Sequence, residues 1–164
     1  EQGINVVLLN QVQQDIKRVR TGKMIKKFET LVQLVLEKVG MSCPAATQDL
    51  ELNTKNRDAT IKQFNYGPLN VDEPGDYWQK IAKYWKTSEE AAKQSLCGNC
   101  VAFDISPRMD DCMPGETSDD DGRLGYCWMH HFKCHSARSC HTWAKGGPIT
   151  KDEKSYNWQE RGAK

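Results

Sequence analysis

Residues 97–143 read CGNCVAFDISPRMDDCMPGETSDDDGRLGYCWMHHFKCHSARSCHTW, and the chain is organised around them. Of the seven cysteines, six stand here: Cys97, Cys100, Cys112, Cys127, Cys134 and Cys140. All four histidines, His130, His131, His135 and His141, fall in the same stretch. Thiolate sulfur binds soft and borderline metals strongly, and a two-residue gap lets one turn offer both thiols to one ion or cluster. The segment is therefore a metal or cluster site, a disulfide framework, or a mixture. An odd number of cysteines cannot be fully paired within one chain. A reducing compartment with a metal site fits at least as well as a disulfide scaffold.

The bulk composition narrows the field. At 164 residues the chain is one domain, or a small module with a helical extension. The 23 basic side chains against 22 acidic ones argue against a dedicated nucleic-acid binder. Apolar content is modest, so the core is small and a staple is expected. The five tryptophans, from Trp78 onward, can supply much of that core and screen cysteines from water. No apolar run is long enough to span a bilayer, and no membrane contact is expected. The chain begins at Glu1 rather than Met, so residues before it are left open; no signal peptide is read in the chain itself.

Outside the module the periodicities predict helices. Ile4, Val7, Leu8, Val12, Ile16 and Val19, then Met24, Phe28, Leu31, Val32 and Val35, recur at helical steps on either side of Thr21-Gly22. Residues 1–40 are thus expected to be amphipathic docking helices. Residues 41–75 read as an irregular connector, with one short strand near Ala59–Phe64 and a turn at Tyr66–Asn70. Cys43 reads as a lone, buried, small hydrophobe. Asp76–Trp85 is expected to be a helix, followed by a second one over Ser88–Gln94 with Thr87 as its cap and Glu90 completing a capping box. That second helix runs directly into Cys97. Residues 104–121 read as a solvated acidic loop; Thr117 and Trp128 stand where a calcium loop needs its first and twelfth ligands. The Cys-rich domain is placed at 76–148 and an irregular tail at 149–164, with Trp158 tucked back. The expected fold class is α with irregular regions: amphipathic helices, then a small loop-rich cluster domain.

The gaps between successive cysteines of the module are two, 11, 14, six and five residues. A zinc knuckle pair could use Cys97, Cys100, Cys127 and His130, but it leaves three cysteines over. An iron–sulfur cluster tolerates single, spread-out ligands after one close pair. Cys97-Gly98-Asn99-Cys100-Val101-Ala102-Phe103, Cys112-Met113-Pro114-Gly115 and Gly125-Tyr126-Cys127 resemble, in order, the ligand segments of high-potential iron–sulfur proteins. That resemblance implies a four-iron, four-sulfur cluster on Cys97, Cys100, Cys112 and Cys127, with Cys134 and Cys140 as alternative ligands. It also implies an aromatic shell, for which Phe103, Tyr126, Trp128, Phe132 and Trp143 are the candidates. The family's aromatic three residues after its last ligand is missing after Cys127 and present after Cys140, as Trp143. Cys140 is therefore open as the fourth ligand, and a Cys134–Cys140 disulfide or two free thiols are open as well. The histidines are expected at the surface or hydrogen-bonded behind the ligands.

A wider resemblance runs from Tyr77 to Pro148. Trp78-Gln79-Lys80-Ile81-Ala82, the Cys97–Cys100 and Gly125–Cys127 segments, Cys134–Cys140 and Trp143–Pro148 are similar to uncharacterised proteins of tailed phages, notably those of marine cyanobacteria. It implies a component of a tail or baseplate, assembled in the host cytoplasm and contacting other protein subunits, without direct nucleic-acid contact. No catalytic constellation is legible, so enzyme activity is not expected. The functional classes in view are a cluster-stapled assembly component, a small electron carrier and a zinc-stabilised interaction module.

Overall fold

The computed structural model describes residues 42–162 and, before them, Lys26, which is helical and exposed. The remainder of the expected N-terminal helices lies outside the described residues. The chain divides into Glu1–Ser42 and Cys43–Lys164, and the second unit carries the cysteine module.

Its centre is a β-hairpin. Strand β3 (Gly122–Cys127) pairs antiparallel with β4 (Phe132–His135), in the register Gly125↔Cys134 and Cys127↔Phe132. Strand β3 also pairs with β1 (Phe103–Asp104), Phe103 opposite Cys127, and with β2 (Ser118–Asp119). Directly opposed residues of antiparallel strands share a face, and neighbours along a strand alternate. Phe103, Gly125, Cys127, Phe132 and Cys134 therefore share one face, and Asp104, Tyr126 and Lys133 the other. Gly125 is required by this packing: a Cβ there would stand 2.5 Å from the Phe103 ring.

Six helices accompany the sheet among the described residues: α1 (Ala45–Gln48), α2 (Leu50–Phe64), α3 (Tyr77–Trp85), α4 (Glu89–Gln94), α5 (Pro107–Cys112) and α6 (Asp152–Gly162). The expected fold class is thus corrected. The domain is a mixed α/β structure with a four-stranded antiparallel sheet, not helices followed by irregular chain. The strands run only two to six residues, too short to print a period-two pattern that stands out from the surrounding chain.

The local expectations fare unevenly. The strand foreseen at Ala59–Phe64 is the C-terminal part of α2, which Asp49 caps by accepting from the Leu52 N–H and Asn65 ends in the left-handed region at φ 52°. Helix α2 docks on the hairpin through Asn53, whose Oδ1 accepts from the Lys133 N–H at 2.8 Å. Helices α3 and α4 form where helices were expected, packing Trp78, Ile81 and Ala92 in a satellite core. The α4 cap, however, is Ser88, which accepts from the Ala91 N–H, rather than Thr87.

The acidic stretch is not a solvated loop throughout. Pro107 opens α5, a position where its missing N–H costs nothing. Asp104 is fully buried and accepts from the Trp128 indole at 2.7 Å and from the Ser106 N–H at 2.9 Å. The tail is likewise helical. Arg108 ties α5 to α6, donating to Ser155 Oγ at 2.9 Å and Gln159 Oε1 at 2.6 Å with its guanidinium over the Tyr156 ring. Trp158 of α6 packs against the main core.

Cys43 is exposed rather than buried, and it forms a disulfide with Cys112, closing a 69-residue separation. Closing a loop of that length removes much entropy from the unfolded chain. Replacing both with serine (C43S/C112S) is expected to cost about 2–4 kcal/mol in denaturant unfolding.

Candidate metal centre

Once Cys112 is held by Cys43, five cysteines remain as free thiols: Cys97, Cys100, Cys127, Cys134 and Cys140. All five line one cavity, together with Phe103, Met129, Thr142 and Trp143. Its volume is about 10 Å³, about what one water needs, so it is no substrate pocket. The expected ligand Cys112 is accordingly corrected: it lies outside this set. Helix α5 carries it to the Cys43 side, and spacing along the chain could not reveal that.

The five thiols are delivered by four pieces of backbone. Helix α4 leads into a 3₁₀ turn at Cys97–Asn99. The Cys97 N–H donates to the Arg138 carbonyl at 2.6 Å and the Gly98 N–H to Ser136 at 3.0 Å, fastening this turn to the β4 exit. Behind it lies Gly147, where any Cβ would collide with the Cys100 carbonyl. Strand β3 presents Cys127 at its end and β4 presents Cys134. Cys140 follows Ser139, whose backbone exchanges two hydrogen bonds with Gly67 (2.6 and 3.0 Å).

The sulfurs are approached by backbone donors. The N–H groups of Ala102 and Ala144 point at Cys100, and those of Met129 and His130 at Cys127. The Thr142 N–H points at Cys140, and the Thr142 hydroxyl stands 3.2 Å from the same sulfur. Three cysteines thus share one device, a donor from the residue two places on: Ala102, Met129 and Thr142. Such bonds favour the thiolate and are a known lever on thiolate-bound metal.

Burial opposes them. It pushes the Cys100 thiol up, the Cys140 thiol up to about 12, and the Cys134 thiol well above the ordinary range. Cys127 moves the other way, chiefly because the Cys134 thiol hydrogen-bonds to it. No lysine or arginine lines the cavity. Several thiolates can therefore coexist here only beside a bound cation, and binding one would release protons.

The aromatic shell divides. Phe103 and Trp143 line the cavity. The Trp143 indole N–H donates to the Leu96 carbonyl and Asn99 Oδ1, both at 2.9 Å, bracing the first cysteine turn. Tyr126 occupies the opposite sheet face and meets Trp128 edge-on at 4.9 Å. Phe132 shares the cysteine face, but its ring packs edge-on against Tyr66 and it is not a lining residue. Met129 and Thr142 line the cavity without having been expected there. Tyr66 lies near Cys134 and Cys97, and its hydroxyl oxygen accepts from the His135 N–H at 2.9 Å.

His130, a member of the zinc alternative, is likewise not a lining residue. Its Nε2 pairs with Thr142 Oγ1 at 2.6 Å, 4.0 Å from Cys140 Sγ, and its ring packs on Phe64. His141 stacks on Tyr84 at 3.7 Å, and His135 pairs with Asp119 at 3.2 Å. The histidines therefore stand around the thiols rather than among them.

Among the described residues, no group of three or more His, Cys, Asp or Glu side chains is arranged to hold a metal ion as it stands. The fit is one of donor chemistry: thiols only, apolar walls and N–H groups aimed at sulfur. No protein-family model, curated protein or solved structure matches the chain.

Gly147→Ala should force the 145–148 segment away from Cys100, since backbone blocks the new methyl. A loss of about 1–3 kcal/mol in stability is expected, as for other overpacked sites. Denaturant unfolding of the variant beside the parent reads that loss.

Proposed function

We propose that the domain binds a four-iron, four-sulfur cluster, and that the cluster acts mainly as an internal staple of an assembly component. One observation carries this reading: five unpaired thiols from four backbone segments line a single apolar cavity, with N–H donors on three of the sulfurs. Cys97, Cys100 and Cys127 would hold the cluster with one of Cys134 and Cys140. When bound, such a cluster supplies four metal–thiolate bonds and a redox couple that burial biases toward the less charged state. The residues of the chain do the rest. Phe103 and Trp143 exclude water, Ala102, Met129 and Thr142 direct N–H groups at sulfur, and the hairpin fixes Cys127 and Cys134.

The resemblance to tailed-phage proteins supports a place in a tail or baseplate, among other protein subunits. There a stapled small domain would present its surface to a neighbour. A carrier role has one favourable observation: Trp143 lines both the thiol cavity and the surface groove beside Asn99 and Lys145. A single zinc ion has another, because the cavity is small and the Cys134 thiol lies within hydrogen-bonding reach of both Cys97 and Cys127.

Anaerobic purification decides between them. The expected product is brown, absorbs broadly at about 400 nm and contains about four irons and four sulfides per chain. Cys97→Ser or Cys100→Ser should bleach it and loosen the domain, whereas Cys112→Ser should keep the colour. A colourless protein with one zinc, or one that keeps its colour in both Cys97→Ser and Cys100→Ser, would reject the cluster reading.

A further inference from the structure

The sheet face turned away from the thiols, where Tyr126 stands, borders a second cavity. Helices α1 and α2 form one wall, with Ala45, Leu52 and Asn56, and the hairpin forms the other, with Tyr126, Trp128 and His131. Its volume is about 330 Å³, at the lower end of small-molecule pockets and room for about ten waters. No Lys, Arg, Asp or Glu lines it among the described residues. The hairpin wall is held from behind. Asn56 Nδ2 donates to the His131 carbonyl, and the His131 N–H donates to the Cys127 carbonyl, both at 2.7 Å. The Trp128 indole N–H is taken up by Asp104. Tyr126 differs: it is 1 % exposed, it lines the cavity, and its hydroxyl has no hydrogen-bond partner among the described residues. Buried polar atoms of folded proteins are nearly always paired, so this one points to a partner from outside the chain.

We infer that this cavity binds an uncharged, planar aromatic molecule whose acceptor atom, a carbonyl oxygen or ring nitrogen, receives the Tyr126 O–H. The lining sets the class. A charged ligand would lose its water here with no opposite charge to replace it. The Tyr126 and Trp128 rings meet edge-on at 4.9 Å, and the His131 ring stands 6.4 Å from the first and 6.5 Å from the second. A flat ring entering among them can meet each edge-on or offset, as aromatic groups prefer. The phenol is protonated at neutral pH, so it donates and the ligand accepts. Water in the cavity can meet that hydroxyl but gains nothing from the apolar walls of Ala45 and Leu52. A ligand that keeps the hydrogen bond and covers those walls is therefore preferred. The inference does not depend on what the thiols hold, because β3 sends Tyr126 and Cys127 to opposite faces.

Benzamide is the probe, titrated into the full-length protein as purified and followed by ligand-observed NMR, with toluene and benzoate alongside. Benzamide is expected to bind saturably, and more tightly than toluene, which lacks the acceptor, or benzoate, which is charged. Tyr126→Phe removes the hydroxyl and keeps the ring. It should weaken benzamide binding about three- to tenfold and leave toluene within about twofold. Its melting temperature should be no lower than the parent's, since no internal hydrogen bond is lost. Ala45→Phe places a ring at the exposed α1 wall of the cavity and should abolish binding of both. The inference is overturned if benzamide shows no saturable binding, if benzoate or toluene binds as tightly, or if Tyr126→Phe binds benzamide as the parent does. A lowered melting temperature in Tyr126→Phe would reveal an internal partner for the hydroxyl and would also overturn it. The probe comparison on the parent and Tyr126→Phe carry the test should Ala45→Phe fail to fold.

Discussion

Strand β3 is paired on both edges, and the arrangement of the Cys43–Lys164 unit depends on that constraint. A strand held from two sides cannot rotate, so Gly125-Tyr126-Cys127 must send alternate side chains to opposite faces. Tyr126, 1 % exposed, anchors one face against Trp128. Cys127 anchors the other, with Phe103 and Phe132 on either side and Cys134 diagonally beyond. The buried Asp104 carboxylate then bonds the Trp128 indole and the Ser106 N–H, fixing where β1 ends and α5 starts. A buried acceptor with two donors at under 3 Å is costly to lose, and so it holds the register.

The domain keeps its sulfurs in two states. Cys43 and Cys112 join the start of the unit to α5 at the surface side of the main core. The other five thiols stay unpaired inside. A disulfide acts on the unfolded chain by shortening it, whereas a thiolate-held metal acts on the folded state by adding bonds. The two are compatible in a unit whose aromatic core is small and whose second core, around Trp78 and Ile81, belongs to α3 and α4.

The cysteine cavity also shows how backbone rather than side chains sets thiol chemistry. Burial alone would keep every thiol neutral, as it does for Cys134 and Cys140. N–H groups from Ala102, Ala144, Met129, His130 and Thr142 lean against that cost. These donors exist because each cysteine ends or begins a turn, where N–H groups are not consumed by a ladder. Cys134 is the contrast: it lies within a paired strand, opposite Gly125.

The sequence alone marked the crowding of cysteines, the close Cys97/Cys100 pair and the two helices expected over Asp76–Trp85 and Ser88–Gln94. Each rests on short-range spacing or composition, which a linear reading can see. It did not determine the sheet, because strands of two to six residues are too short to carry a clear period. Nor did it separate Cys112 from the other thiols, or find Met129, Thr142 and Tyr66 near them. Those are matters of which segments meet across dozens of residues, and only tertiary packing, through the twofold pairing of β3 and the docking of α5, decides them.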